Sequence, residues 1–291
     1  MVISPLNYTG NKAKALKEII ALFPDEIDLF VDAFCGSAIV AFNSGAKEVI
    51  CNDIEPHVIE LNKYLYNHSH EQIIESMEAI IEEYGFTDTT NKNNVYIEYQ
   101  HEGLSRYNKT PFQKLKAEYN ATHRIDLLFA LVIYGFNHYL RFNGKNQYNV
   151  PVGKVDFSES LRRKTKEFCE EIKEYPCEFS MKDFRDLTLY EKCTSKSLIY
   201  FDPPYLVTTA PYNAQWTQQD DEDLFQLIDW LTSKGFRVAL SNVFTSNTKV
   251  NHRLIEWSQK YHVHHLKRQY RNANYQKRNK ADSDEVLITN Y

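Results

Sequence analysis

Apolar residues Ala15, Leu16, Ile19, Ile20 and Phe23 recur at helical spacing and predict a helix over residues 12–22, ended by Pro24 and Asp25. The pattern then changes to a short, nearly continuous apolar run at residues 28–34, which opens into Cys35-Gly36-Ser37. That is the profile of a buried strand followed by a tight turn. A helix over 38–44 closed by Gly45, a strand over 48–54 and a further helix opened by Pro56 come next. Strand and helix alternating at this spacing predict a parallel sheet with right-handed crossovers.

From residue 68 to 175 the alternation stops. Polar helical stretches at 71–84 and 122–141 flank an Asn-, Thr- and Tyr-rich section with loop character at 85–94. Residues 141–153 are polar and turn-rich, which fits a hairpin or an extended loop. The α/β pattern resumes with a short strand at 177–181 and a clear one at 197–201. A helix over 218–233 closed by Gly235, a strand over 237–242, and edge strands at 262–270 and 285–289, read as antiparallel, complete the chain. Residues 1–67 and 176–291 therefore read as one domain, with 68–175 inserted into it.

The chain has 291 residues, enough for about two domains. Hydrophobic residues at 43% and charged residues at 25% exclude a largely disordered or low-complexity chain. The mean hydropathy is -0.53, and no run approaches the ~18 apolar residues that a membrane span needs. The N-terminus lacks a basic region followed by an apolar core, so no signal peptide is expected and a cytoplasmic location is. The 5 cysteines show no C-x-x-C pair and the histidines no ligand spacing, so reduced thiols and no metal site are expected. The net charge of -5 does not by itself suggest nucleic acid. Two basic runs change that picture, one at 161–166 and one at 267–280, where Lys267, Arg268, Arg271, Lys277 and Arg278 alternate with Tyr and Asn. Such a mixture suits phosphates and base edges, although a solvated helix face would read the same.

Asp202-Pro203-Pro204-Tyr205 follows a predicted buried strand, where open α/β sheets bind ligands. The prolines fix φ and lack N–H groups, so their carbonyls can be aimed rigidly. A carboxylate and a carbonyl side by side can accept both hydrogens of one amino group, and a following tyrosine offers a flat face to a planar base. A rigid Pro-Pro turn with a capping Asp is the plainer alternative. Phe34, Gly36 and Ser37 sit between a strand and a predicted helix, which suits a nucleotide-like ligand at a helix N-terminus. Asp53, 17 residues after Gly36, ends the next strand, where an acidic residue binds ribose hydroxyls in a βαβ unit. Asp183 and Phe184 offer an acceptor and an apolar wall after the third strand.

Taken in order, these motifs resemble the Dam-type (D12 class, alpha group) DNA adenine-N6 methyltransferases over most of the chain. The resemblance implies a Rossmann-like S-adenosylmethionine-dependent methyltransferase sheet with an inserted, mainly helical DNA-recognition domain. It implies S-adenosylmethionine as cofactor, held by Tyr8, Lys12, Asp32, Phe34, Gly36, Ser37, Asp53, Ile54, Asp183, Phe184 and Asp202. Asp202 to Tyr205 match the catalytic motif. Arg141-Phe142-Asn143 and Asn149-Val150-Pro151-Val152-Gly153 look like the recognition hairpin, with Arg141, Asn143, Asn149 and Pro151 toward DNA. The implied partner is double-stranded DNA in a prokaryotic cell or its virus, with a cognate restriction endonuclease as a further candidate. Two departures stand out: Ala38 replaces the second glycine of the family's cofactor loop, and residues 144–148 differ from the family's hairpin, so no target sequence carries over.

Other acceptors use a similar proline turn, namely cytosine N4, RNA adenine or a protein amide. A catalytically silent DNA-binding module on the same fold is a reading of a different class, which the intact Asp202 to Tyr205 disfavours. A dinucleotide dehydrogenase would need a fuller glycine fingerprint.

Overall fold

Four strands with their side chains buried on both faces, or nearly so, form the centre of the sheet. They are β1 (Leu29–Asp32), β2 (Glu48–Asn52), β4 (Leu198–Phe201) and β5 (Arg237–Ser246). Burial on both faces is why their sequences read as apolar runs without alternation. β3 (Cys177–Ser180) flanks β2, and the order across the sheet is β3-β2-β1-β4-β5-β8-β7, with β7 at His262–His265 and β8 at Ser283–Thr289. The first five of these pair in parallel, while β8 is antiparallel to both β5 and β7. A two-residue strand, β6 (Lys249–Val250), pairs with the end of β5. From β1 the chain moves outward to β2 and β3, then returns to the other side of β1 with β4. The β1–β4 junction is therefore the switch point, where ligands bind beyond the carboxyl ends of the strands.

The structure, a computed structural model, describes residues 1–6, 12–90, 104–207, 216–266 and 283–291. Two compact units partition the chain. The sheet unit comprises Lys12–Cys35, Val40–Ile54 and Pro176–Tyr291. It contains α1 (Leu16–Ile20), α7 (Gln218–Ser233) and α8 (His252–Ser258). Leu224, Phe225, Ile228 and Leu231 of α7 pack with Val31, Ile199, Phe201, Leu240 and Ile288 in one core. α7 has the extent its sequence predicts because both ends are specified: a Thr217–Asp220 capping box starts it, and Gly235 at φ 81° follows it.

The helical unit gathers Gly36–Ile39 and Glu55–Tyr175 with the first residues of the chain. It contains α2 (Pro56–Asn67), α3 (His70–Tyr84), α4 (Ser105–Thr122), α5 (Ile125–Tyr134) and α6 (Glu159–Ile172). α5 is buried from Leu127 to Tyr134 on every side, as expected of the central helix of a bundle. By these contacts α2 goes with the bundle, while the sequence pattern grouped it with the sheet.

Three predicted helices come out shorter. The first is α1 alone, because residues 13–15 form turns and Lys12 reaches into the sheet crevice. The helix expected over 38–44 is a single 3-10 turn, Ala41–Asn43. Ala38, at φ 56°, lies in the left-handed region and cannot start a right-handed helix. The ligand loop therefore does not open onto a helix N-terminus as expected. The stretch at 122–141 shortens to α5, because His123 at φ 54° ends α4 and Gly135 ends α5. A Cβ on Gly135 would lie 2.6 Å from the Leu131 carbonyl and from the Tyr148 hydroxyl, so the position admits only glycine.

Candidate active site

At the carboxyl ends of β1, β2, β3 and β4 one asparagine joins two turns. Asn52, last in β2 and buried, donates through Nδ2 to the carbonyls of Ala33 (3.0 Å) and Lys182 (2.9 Å), and its Oδ1 accepts from Lys182 N at 2.9 Å. One side chain thus ties the turn after β1 to the turn after β3. Asp53 follows, 8% exposed, its backbone N–H donating to Ser180 O at 3.2 Å.

Asp32, at the end of β1, is 1% exposed. Burial, reinforced by the nearby Asp202 carboxylate, holds its carboxyl well above the usual range, against a backbone hydrogen bond from Phe34. Its Oδ1 has no hydrogen-bond partner among the described residues. A buried acceptor of this kind costs folding free energy unless a donor or cation meets it.

Asp202, leaving β4, gathers the chemistry. Its Oδ1 accepts from the Tyr205 hydroxyl at 2.7 Å and lies 2.6 Å from the Lys12 ammonium. The same ammonium stands 3.9 Å from Glu285 Oε1 of β8 and 5.0 Å from the centre of the Tyr205 ring. Burial raises the Asp202 carboxyl above its usual range; Lys12 and Tyr205 act the other way. Burial, with Asp202 beside it, likewise keeps the Tyr205 phenol protonated. Pro203 is buried and Pro204 half-buried, so the turn that presents Asp202 is packed.

Phe34, Phe184 and Trp216 form an aromatic cluster, with ring centres 5.5 to 5.7 Å apart. Trp216 is anchored by its indole N–H on Asp221 at 2.7 Å. Asp183 is paired with Arg185, which also pairs with Asp220 and Asp223 and lies over the Phe184 ring at 4.3 Å. Ile54 is 63% exposed. The sheet unit thus brings together Lys12, Asp32, Asp202 and Tyr205, and places Phe34, Asp53, Asp183 and Phe184 at neighbouring strand ends. Gly36 (φ 49°) and buried Ser37 belong to the helical unit, where Asn62 donates to Gly36 O at 2.8 Å. Sequence reasoning missed Arg185, Trp216 and Glu285, and read Asn52 only as part of the strand end that carries Asp53. Of these only Asn52, last in β2, carried a local signal, its place at a strand end.

In the helical unit residues 141–149 do form a hairpin. Phe142 bridges Tyr148, Asn143 N donates to Gln147 O at 2.9 Å, and Asn149 N donates to Arg141 O at 3.1 Å. Asn143 shapes the tip, its Oδ1 accepting from Lys145 N and Gln147 N. Arg141 is exposed, and its guanidinium is oriented by Asn149 Oδ1 (2.8 Å) and O (3.1 Å). Pro151 is exposed. The hairpin is anchored through buried Tyr148, whose N–H donates to Asn120 Oδ1 at 2.9 Å, and through Phe142 stacked on His57 at 3.7 Å. Just before it, Phe136 is 42% exposed on a turn where Asn137 and His138 are both left-handed. An exposed aromatic on a strained turn is a functional signal that sequence reasoning did not find. Of the basic run at 161–166, Arg162 is 10% exposed and pairs with Glu78 and Asp88, while Arg163 and Lys166 pair along α6. Arg162 therefore serves the fold, while Arg163 and Lys166 stay exposed. Tyr8, Lys267, Arg268, Arg271, Lys277 and Arg278 lie outside the described residues.

A largely parallel sheet with its switch point at Asp32 and Asp202, and a D-P-P-Y turn packed against a lysine, define a class. The chain belongs to the D12 class N6 adenine-specific DNA methyltransferases, whose family profile matches residues 8–272. Among named relatives, it is 37% identical over 296 residues to the type II methyltransferase M.FokI of Planomicrobium okeanokoites (99% of this chain, 43% of that protein). It is 33% identical over 298 residues to the modification methylase StsI of Streptococcus sanguinis (99% and 43%). It is 25% identical over 270 residues to the DNA adenine methylase of Escherichia coli (strain K12) (90% and 86%). The chain thus spans 43% of the length of the first two relatives. An rRNA methylase structure from Streptococcus thermophilus aligns with a TM-score of 0.36 and 9% identity over 95% of this chain and 94% of that one, too distant to argue from.

Proposed function

We propose that this chain methylates N6 of an adenine in duplex DNA at a specific site, with S-adenosylmethionine as donor. The observation that carries the reading is the half-buried Asp202 carboxylate, clamped on one oxygen by Tyr205 and Lys12 at the start of a Pro-Pro turn.

The cofactor's residues fit a cationic, partly aromatic ligand. Asp32 offers a buried acceptor without a partner among the described residues, Asp53 a carboxylate at the β2 end, and Phe34 and Phe184 an aromatic wall. When bound, the cofactor supplies an electrophilic methyl group on a sulfonium. The chain's own residues do the rest. Adenine N6 is a weak nucleophile because its lone pair is delocalised into the ring. Hydrogen bonds from its amino group to the Asp202 carboxylate and the Pro203 carbonyl draw the nitrogen toward tetrahedral geometry and stabilise the charge that develops on it. The nitrogen sheds one proton after transfer, and Asp202, raised above its usual range by burial, is placed to take it. The remaining work is alignment.

The target base must leave the stack, at a cost of a few kcal/mol. The exposed Phe136 is an apolar wedge suited to the gap it leaves, and Arg141, oriented by Asn149, is suited to a guanine edge. Residues 55–175 act as the recognition region in this reading, and residues 267–280 add phosphate contacts. Relatives named as modification methylases support a place in a restriction–modification system, with a cognate endonuclease acting on the same site. No helix among the described residues is long and apolar enough to cross a membrane.

The test is to incubate the protein with unmethylated genomic DNA and methyl-labelled S-adenosylmethionine, digest to nucleosides and identify the labelled one. Label in N6-methyldeoxyadenosine is expected. Label in N4-methyldeoxycytidine alone, or none, overturns the reading.

A further inference from the structure

Asp202 Oδ1 is crowded: it accepts the Tyr205 hydroxyl at 2.7 Å and holds the Lys12 ammonium at 2.6 Å. A carboxylate oxygen offers about two lone-pair sites, so both on this oxygen are taken. An arriving amino group that takes this oxygen, as well as or instead of Oδ2, needs one donor to leave. Tyr205 is joined to Asp202 through the rigid Pro-Pro turn, whereas Lys12 sits on a long, jointed side chain. The Lys12 side chain is 5% exposed. An ammonium that deep is costly without a carboxylate beside it. It leaves Asp202 at least cost toward another carboxylate, and Glu285 stands within reach. Its Oε1 is 3.9 Å from the same nitrogen and its side chain is 9% exposed. Glu285 pairs across the sheet with Val243 of β5, next to the β5–β8 bulge. The distance is too long for a hydrogen bond, and a small swing of the side chain closes it.

We propose that Glu285 is the receiving carboxylate of a handover: when the target amino group arrives, the Lys12 ammonium passes from Asp202 to Glu285 and vacates an acceptor site on Asp202. Lys12 remains an ammonium throughout, and no covalent bond changes. Glu285 acts through Lys12 and is a positioning residue. The inference rests on the methyl-transfer reading above and names a further part of that same site.

The test compares Glu285→Gln, Glu285→Asp, Lys12→Met and the Lys12→Met/Glu285→Gln double variant. Single-turnover methyl transfer to unmethylated genomic DNA is measured, with S-adenosylmethionine affinity read from Trp216 fluorescence. Glu285→Gln is expected to slow transfer about tenfold or more, because the ammonium loses its alternative partner. Cofactor affinity should stay within about twofold, and Glu285→Asp should recover most of the rate. In the Lys12→Met background there is no ammonium to move, so Glu285→Gln should add less than about twofold. A Glu285→Gln rate within twofold of the parent, or equal fractional losses in both backgrounds, overturns the handover. Should Glu285→Gln fail to fold, Lys12→Arg reads the same point. A guanidinium fork spans both carboxylates without releasing Asp202, so slow transfer with cofactor still bound supports the handover, and a parental rate overturns it. A parent protein that methylates no adenine overturns the function itself, and the handover with it.

Discussion

In the sheet unit the candidate residues are ionisable and buried or half-buried: Lys12, Asp32, Asp202 and Glu285 have exposures between 1% and 17%. In the helical unit Arg141, Asn143, Lys145 and Pro151 are exposed on or beside a hairpin anchored by buried rings. The sheet unit holds its charges in fixed geometry away from water, where each interaction is strong and each unmatched group costs stability. The hairpin leaves its groups solvated, where each is weak and screened by salt. Buried charges are suited to stabilising a reaction, and solvated groups to comparing partners. Substitutions in the first should change rates, and those in the second should change preferences.

The largest effect should come from Asp202→Ala. With the acceptor for the target amine gone, single-turnover methyl transfer should fall about a thousandfold or more. Binding of S-adenosylmethionine and of DNA, followed by fluorescence and by electrophoretic mobility, should persist. Loss of DNA binding in parallel would mean that the crevice serves affinity rather than chemistry, and the contrast would fail.

Arg141→Ala is the counterpart on the hairpin. A bidentate Arg is worth about 1–3 kcal/mol of base discrimination, or roughly tenfold to a hundredfold. Sequencing of methylated DNA should show new sites appearing while the rate at the original site falls less than in Asp202→Ala. Asn149→Ala should reproduce part of the effect, because Asn149 orients the guanidinium. Unchanged site choice in both variants would make Arg141 a clamp of the hairpin only.

Asp32→Asn separates the stability cost of the crevice from its use. The Asp32 carboxyl titrates well above its ordinary value of 3.8 in the folded chain. Between that value and the raised one the folded state binds more protons than the unfolded state, so stability falls as pH rises through the window. The amide does not titrate. Asp32→Asn should therefore melt higher than the parent at pH above the window, by a few °C, with the difference vanishing below 3.8. Affinity for S-adenosylmethionine should weaken in the same variant. A melting temperature that rises with no loss of affinity would free Asp32 from any binding role.

The same contrast explains what was legible in the sequence. The parallel strands showed as unbroken apolar runs, and Asp53, Asp183 and Asp202 were proposed because strand ends in such sheets are where ligands sit, while Asp32 was proposed from the resemblance of its loop to the family's cofactor loop. Glu285 was not found. It lies in the sequence 83 positions from Asp202 and meets it only because β8 pairs with β5, and a cross-sheet register leaves no local signal. Trp216 and Arg185 are brought to Phe184 by tertiary packing in the same way. The hairpin was read as one of two options, and what decides it is Tyr148: its hydroxyl lies 3.0 Å from the carbonyls of Leu131 and Tyr139, which precede the hairpin. The helix over 38–44 failed for a local reason that composition hides, since alanine is a good helix former and here sits at φ 56°.

Ala38 also yields the smallest predicted effect, and it is where magnitudes matter most. It occupies a place where the family often has glycine, in a left-handed conformation and fully buried. That conformation costs an L-residue about 1–2 kcal/mol. Burying one methyl returns roughly 0.8 kcal/mol, and avoiding the extra unfolded-state freedom of glycine returns about 0.4–1 kcal/mol more. The terms nearly cancel, so Ala38→Gly should change unfolding free energy in urea by less than about 1 kcal/mol, with methyl transfer unaltered. Ala38→Val keeps the strain, adds a branched side chain to a filled space and should destabilise by more than about 2 kcal/mol. If the glycine variant were instead much more stable than the parent, the methyl would be gaining nothing from its burial. The loop after β1 would then be strained for a purpose, and cofactor affinity in that variant would show it.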